Sequence, residues 1–428
     1  MTDVHSLPAR GTTTGTEVFD ELESEVRLYC RKFPAVFTTA TGSTLVTESG
    51  DEYLDFFCGA GALNYGHNEP SVVARMLDYL TGGGVLHGLD MHTSAKRLFL
   101  ERLRDVVLRP RGLDHRVQFC GPTGTDAVEA ALKLARNATG RQGVIAFSGA
   151  FHGMSHGSLT VTGSRAARRA GGAPLAHATF LPYEDGPAGT VDSIALLTAV
   201  LDDPSSGVDL PAAVIVESLQ MDGGVYPASA EWLRALRDVT AARGILLVCD
   251  EIQAGCGRTG DFFGFEHAGI VPDVITLSKS LGGAGMPISV VLLRPELDVW
   301  QPGEHTGTFR GNQLAFVAGA AALDLWERDD FHALRAAGAE RMTRFRAEVV
   351  ARDPRLLARG RGMVVGIDTG DATRASALQR HCFDNGLVLE TCGRSNEVVK
   401  VTPALTVTAA DLDRGLAVVL DAVEATTG

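Results

Sequence analysis

The chain reads as an α/β protein with a large domain, built on a mostly parallel central sheet flanked by helices, and a small α+β domain. Two short apolar runs predict the sheet. Residues 245–248 (Ile-Leu-Leu-Val) and 274–277 (Val-Ile-Thr-Leu) have the length and β-branched content of strands buried on both faces. Each leads into a charged residue, Asp250 after the first and Lys279 after the second. Open α/β sheets bind ligands at the C-terminal ends of their strands, so an acid and an amine are expected to face one crevice. A third stretch, Val117-Gln-Phe-Cys-Gly-Pro-Thr-Gly-Thr, predicts a strand that turns sharply into a helix opening at Thr125.

Composition narrows the function classes. A length of 428 residues leaves room for two or more domains with substantial cores. With 52 acidic against 39 basic residues the formal charge is −13, and no Lys/Arg run forms the footprint of a nucleic-acid surface. No apolar run reaches the roughly 18 residues of a membrane helix. The first sixteen residues are polar and Thr-rich rather than leader-like, so a cytoplasmic protein is expected. Seven scattered cysteines without a Cys-x-x-Cys pair are expected to be reduced and structural. Cys249 and Cys256 flank the expected crevice but have no evident histidine to activate them.

In chain order, residues 1–16 are expected to form a mobile arm and 18–33 an amphipathic helix. Residues 44–57 predict a hairpin turning at Ser49-Gly50-Asp51, followed by a glycine-rich loop from Cys58 and a helix beginning near Pro70. A helix over 94–107 comes next; His87 and His92 before it lack a carboxylate partner and are read as loop residues, not metal ligands. The helix at Thr125 offers free backbone N–H groups to an anion, or is simply capped by Thr125. After a strand over 143–147, Phe151 and His152 lie on a strand-end loop, and glycines flanking His152 and His156 argue against a zinc-binding helix. Residues 164–191 lack periodicity and are expected to be an irregular excursion. Residues 213–216 predict a strand leading to Glu217, and 229–243 a helix. A strand over 288–293 and long helices over 312–326 and 331–351 follow. The remainder, with a helix over 372–385, short strands near Val388 and Val399 and a closing helix from Ala409, is the small domain.

The chemistry centres on Lys279. Lysine occurs only five times, and this one stands between Ser278 and Ser280, ahead of Gly282 and Gly283, directly after an apolar strand. Lysine, unlike arginine, can lose its proton and attack a carbonyl, which suggests Schiff-base chemistry.

The Asp250-Glu-Ile-Gln and Ser-Lys279-Ser segments resemble those of the fold-type I pyridoxal-phosphate enzymes, specifically the class III aminotransferases, and the resemblance spans the chain beyond the N-terminal arm. It implies a small domain built from both termini: 17–69 and 329–428 around a large domain at 70–328. It implies pyridoxal 5'-phosphate joined to Lys279 as an internal aldimine, with Asp250 holding the pyridine nitrogen protonated. Further cofactor contacts are implied at Gly124, Thr125, Phe151 stacked on the ring, His152, Glu217, Gln253 at the ring 3'-oxygen, and Thr308 reaching the phosphate of a neighbouring subunit. A homodimer or higher homo-oligomer with shared active sites follows from that last role. Substrate contacts are implied at Tyr65, Asp222 and Lys400; the family commonly pairs a glutamate with an arginine there, so this chain departs from the pattern.

Segments 63–68, 89–93, 121–125 and 303–312 resemble in particular the diaminobutyrate–2-oxoglutarate aminotransferases of ectoine biosynthesis. That group implies ping-pong transfer from L-glutamate to L-aspartate 4-semialdehyde. The alternatives are a class III aminotransferase of a secondary-metabolite pathway acting on another ω-amino acid or aldehyde, an aminomutase, and a cofactor-sensing regulator. The last would need a DNA-binding module, for which the arm leaves no room.

Overall fold

The computed structural model describes residues 15–172, 175, 177–187, 189 and 191–427. Most of the expected arm, 1–14, lies outside them. Three strands open the fold, Phe37–Thr41 (β1), Thr44–Thr47 (β2) and Glu52–Asp55 (β3). β2 and β3 are the expected hairpin, with Thr44 opposite Leu54, and β1 extends it on the other side of β2.

The central sheet takes Arg116–Phe119 (β4), Val144–Phe147 (β5), Ala178–Leu181 (β6) and Ala213–Val216 (β7); after the two-residue arms Leu219–Gln220 (β8) and Tyr226–Pro227 (β9) of a small ribbon it adds Leu246–Asp250 (β10), Val274–Leu277 (β11) and Val290–Leu293 (β12). Its order is β4-β12-β11-β10-β7-β5-β6. Only β12 runs against its neighbours. Every residue of β5, β7, β11 and β12 is buried, which is why these strands read as unbroken apolar runs rather than alternating ones. Each fully buried aliphatic side chain there contributes roughly 1.5–3 kcal/mol of transfer free energy.

The C-terminal part forms the antiparallel sheet β13-β14-β17-β16 from Leu357–Arg359 (β13), Val365–Asp368 (β14), Glu390–Cys392 (β16) and Val398–Val401 (β17). Leu387–Val388 (β15) instead pairs parallel with β3, Leu387 opposite Leu54, and so ties the two ends of the chain into one sheet. Helices Gln313–Leu325 and Asp329–Arg352 lie between, the first almost wholly buried through its alanines and Phe316.

Two expected features differ. The helix expected over 18–33 is two short pieces, Glu17–Leu22 and Tyr29–Lys32, separated by an extended Glu23. Short helices are marginal without a packed face, and here Val18, Leu22 and Val26 stay exposed, so no packing sustains the intervening turns. Within 164–191 the chain is more regular than expected. A helix Arg165–Ala170 forms under the Ser164 cap, with Arg168 donating to the carbonyls of Leu159, Thr160 and Thr162, and β6 adds a parallel edge strand to β5. A four-residue edge strand and a six-residue helix are too short to leave a periodic signal. Among the described residues no helix is long and apolar enough to cross a membrane.

Candidate active site

Five strands of the central sheet deliver their C-terminal ends to one edge, and the residues just beyond them line a cavity of 280 Å³. Thr123, Gly124 and Thr125 follow β4, Phe151 and His152 follow β5, Glu217 follows β7, Asp250 and Gln253 come from β10, and Lys279 follows β11.

Asp250 is the last residue of β10 and is 4% exposed. Its register opposite Thr276 brings the threonine hydroxyl to 3.1 Å from Oδ1, which also accepts the Ile252 N–H. Oδ2 lies 2.7 Å from His152 Nδ1, a bond that makes Nδ1 the protonated nitrogen and leaves the buried Nε2 without a partner among the described residues. The His152 backbone is anchored in turn by the Thr162 hydroxyl.

Lys279 adopts φ +47°, a left-handed conformation rare outside glycine, at a cost of about 1–2 kcal/mol. Burial pushes its amine below the ordinary lysine range; Asp222 opposes the shift and Lys400 adds to it. Lys279 Nζ donates to the Ala60 carbonyl at 2.9 Å, and Gln253 Nε2 donates to the same oxygen at 3.0 Å. Gly61, at φ +87°, keeps the loop this close: a Cβ there would stand 3.2 Å from Gln253 Cγ. Both the amine and the amide are thus held by a carbonyl from the glycine-rich loop, a contact with no sequence signature.

The other end of the cavity is the N-terminus of the helix Gly124–Thr139. Thr123, not Thr125, is its cap residue, and its hydroxyl goes to Asp126 rather than to a helix N–H. Thr125 Oγ1 instead meets the hydroxyls of Ser155 and Ser158 at 2.6 and 2.5 Å. The simple capping role open to Thr125 is therefore not the one it fills. Phe151 is 36% exposed over the cavity, and its N–H donates to Glu217 Oε1. Burial raises the Glu217 carboxyl well above its ordinary range, with the charges of Asp250 and Asp222 adding to the effect, and Oε2 has no partner among the described residues. Beneath, Glu251 is fully buried between the Ser218 hydroxyl and the Gly264 N–H, and burial pushes its carboxyl up to about 7.

Across from the strand ends, Asp222 stands in the turn between β8 and β9, directly after the cavity-lining Met221. Lys400 on β17 is completely buried and its Nζ lies 2.7 Å from Asp222 Oδ1 and 2.8 Å from Glu390 Oε1. Burial works against the Lys400 ammonium, yet the two carboxylates raise its pKa well above the ordinary value. Asp222 is held below the usual carboxylate range, burial opposing ionisation but Lys400 and Lys279 overcoming it. Glu390 lies on β16 directly opposite Lys400 and was not singled out in the sequence, because an isolated acid in a three-residue strand carries no pattern.

Two implied site residues lie elsewhere. Tyr65 is 2% exposed in the core, where its hydroxyl accepts the Trp326 indole N–H at 3.0 Å and its ring packs on Phe331; it does not line the cavity. The aromatic belongs to the junction between the glycine-rich loop and the helix Gln313–Leu325. Thr308 is exposed on the loop before that helix and does not line this chain's cavity. His87 packs edge-on against Phe309, and among the described residues no group of three His, Cys, Asp or Glu could hold a metal ion. All seven cysteines are free, Cys249 and Cys256 buried.

The residues fit pyridoxal 5'-phosphate. A cavity of 280 Å³ has a helix N-terminus at one end, an exposed aromatic face, an acid aligned by three donors, and a buried amine.

Comparison with known proteins gives the same outline. The family profile for aminotransferase class-III matches residues 29–423. Diaminobutyrate–2-oxoglutarate transaminase of Nocardia farcinica is 52% identical over 413 residues, covering 96% of this chain and 95% of that protein. The enzyme of the same name from Streptomyces anulatus is 52% identical over 406 residues, covering 95% and 97%. The crystal structure of ornithine aminotransferase from Toxoplasma gondii ME49 superposes with a TM-score of 0.80 at 24% identity, covering 97% of this chain and 99% of that one, and shares its fold.

Proposed function

The chain belongs to the class-III aminotransferases, enzymes that depend on pyridoxal 5'-phosphate, and from that premise we propose that it moves the amino group of L-glutamate to L-aspartate 4-semialdehyde, yielding L-2,4-diaminobutyrate and 2-oxoglutarate. The observation that carries the substrate pair is the near-complete coverage at 52% identity by relatives named for diaminobutyrate and 2-oxoglutarate.

Bound in the cavity, pyridoxal 5'-phosphate supplies an electron-withdrawing ring and a carbonyl through which an amino group can be exchanged. The protein's part is to hold and move protons. The helix Gly124–Thr139 would hold the phosphate through the backbone N–H groups and dipole of its N-terminus, Gly124 and Thr125 among them. Asp250, aligned by Thr276, Ile252 and His152, keeps a proton on the ring nitrogen. Phe151, Gln253 and Glu217, which line the cavity, would hold the ring, Phe151 by stacking and Gln253 and Glu217 through its polar groups. Lys279 Nζ, with its proton affinity reduced by burial, anchors the cofactor and carries the proton at the substrate carbon losing or gaining nitrogen. The two halves run in turn: glutamate leaves as 2-oxoglutarate before the aldehyde enters. Asp222 stands at the far end of the substrate beside the cavity-lining Met221, and the implied role of Lys400 is exerted through it, since the lysine side chain is itself fully buried.

The same reading makes 17–69 and 329–428 one small domain around a large one at 70–328. It makes the protein a cytoplasmic homodimer, in which Thr308 reaches the partner subunit's phosphate, and places its product in ectoine biosynthesis. The exposed position of Thr308 supports the shared site.

The test is a half-reaction on purified holoenzyme. Glutamate and 2,4-diaminobutyrate, added singly, should bleach the visible absorbance of the bound cofactor, with ornithine and 4-aminobutyrate slow. Rapid bleaching by a different amine, with no response to diaminobutyrate, would move the substrate to another ω-amino acid.

A further inference from the structure

The hydroxyls behind the helix end of the cavity can be oriented one by one. Glu129 Oε1 takes three donors, the Ser155 hydroxyl at 2.6 Å and the backbone N–H groups of Gly157 and Ser158 at 2.7 and 3.1 Å, and it accepts them whether or not the acid is ionised. The Ser155 proton is therefore committed to Glu129. Thr125 Oγ1 lies 2.6 Å from Ser155 Oγ and 2.5 Å from Ser158 Oγ, and it also receives the Ser155 N–H at 3.2 Å. Ser155 has no proton left, so Thr125 supplies the one between them and Ser158 supplies the one it shares with Thr125. The order runs from Ser158 to Thr125 to Ser155 to Glu129. Sending the Ser158 proton to the Ser155 carbonyl, at 3.0 Å, would only leave Thr125 to serve both serines.

Thr125 Oγ1 thus gives one hydrogen bond and takes two, the full capacity of a hydroxyl. Thr123 follows the same pattern, its hydroxyl donating to Asp126 Oδ2 at 2.9 Å. Both cavity-lining threonines turn their protons toward acids of the helix Gly124–Thr139 that do not line the cavity themselves. The network has no slack: a Cβ on Gly153 would collide with Thr125 Oγ1, and one on Gly157 with Glu129 Oε2.

We propose that Glu129 is a positioning residue for the phosphate seat. It draws the Thr125 proton away from the cavity, so that this corner offers an anion only the backbone N–H groups of Gly124 and Thr125, which precede the hydrogen bonds that Asp126 and Ala127 give to Thr123. Side-chain donors to the phosphate must then come from elsewhere, in keeping with a Thr308 that reaches the partner subunit's phosphate. The inference rests on the placement of the phosphate at this helix end.

Full-length enzyme is equilibrated by dialysis with pyridoxamine 5'-phosphate and, in parallel, with pyridoxamine. Neither condenses with Lys279, and the ratio of the two affinities isolates the phosphate. Ser155→Ala removes the acceptor that holds the Thr125 proton and should raise the ratio by about tenfold, as expected of one added hydrogen bond to a charged acceptor. Glu129→Ala should raise it too, by freeing the Ser155 proton for Thr125, and it replaces the first variant should that one fold poorly. Glu129→Gln, whose amide oxygen can take the same three donors, should retain the wild-type ratio; a role in packing alone would weaken both ligands together and move no ratio. A strong wild-type preference for the phosphorylated compound that neither alanine variant raises overturns the orientation and leaves the phosphate at the helix. A wild type with no such preference removes the phosphate from the helix end, and the proposal with it.

Discussion

Asp250 and Lys400 are both buried charges at one crevice, and their partners are of opposite kinds. Asp250 is held by a hydroxyl, a backbone N–H and an imidazole, all fixed to the strand ends of the central sheet. Lys400 is held by two acids from the facing side, one on a strand and one on a turn. The first arrangement orients a charge without cancelling it, so it remains available to a ligand's proton. The second cancels the ammonium and keeps it from any ligand. Burial alone does not decide whether a charge can act; the charge state of its neighbours does.

The strand-end wall is expected to carry the larger effects. Lys279→Ala should lower turnover by on the order of 10⁴-fold or more and remove the visible absorbance of the attached cofactor; retained turnover in a rate assay would break the assignment of that wall to chemistry. Asp250→Asn should keep the cofactor bound while costing on the order of 10³-fold in rate, since the amide cannot hold the ring proton. An unchanged kcat would mean the three aligned donors serve packing only.

Glu251 sharpens the contrast, because its partners are neutral but its burial is complete. Its carboxyl, raised from an ordinary 4.5 to about 7, binds a proton in the folded state where the unfolded chain has released it. Stability from this group is complete below pH 4.5 and is lost as pH rises through 7, to a total of about 3 kcal/mol. Glu251→Gln should flatten that decline in thermal melts between pH 5 and 8, and a parallel decline in the variant would assign it to other groups. The smallest effect is expected at Tyr65→Phe. It should leave kcat and KM unchanged and reduce stability by about 1–2 kcal/mol in urea denaturation, the cost of an unpaired Trp326 N–H. A raised KM would return Tyr65 to the substrate.

The central sheet was legible because its strands are buried on both faces and end in residues of unusual chemistry: Asp250 and Lys279 needed only an apolar run and a polar stop. The opposite wall was legible only through resemblance. Lys400 meets Glu390 by cross-strand register in the C-terminal sheet, and a register between three- and four-residue strands leaves no periodic trace. Tyr65 shows the reverse failure: a motif match placed it at the substrate, and the packing of Trp326 and Phe331 placed it in the core. The segment over 18–33 has the alternation of an amphipathic helix, but Val18, Phe19, Leu22, Val26 and Leu28 are left exposed by this chain.

The left-handed backbone at Lys279 has a consequence for the protein's history. Asparagine or glycine would relax a φ of +47° and remove a buried amine, so folding by itself favours the inactive sequence. A gene copy released from selection on turnover would drift toward that relaxed residue early. A lysine kept at this position in a diverged relative is therefore a record that its chemistry is still under selection.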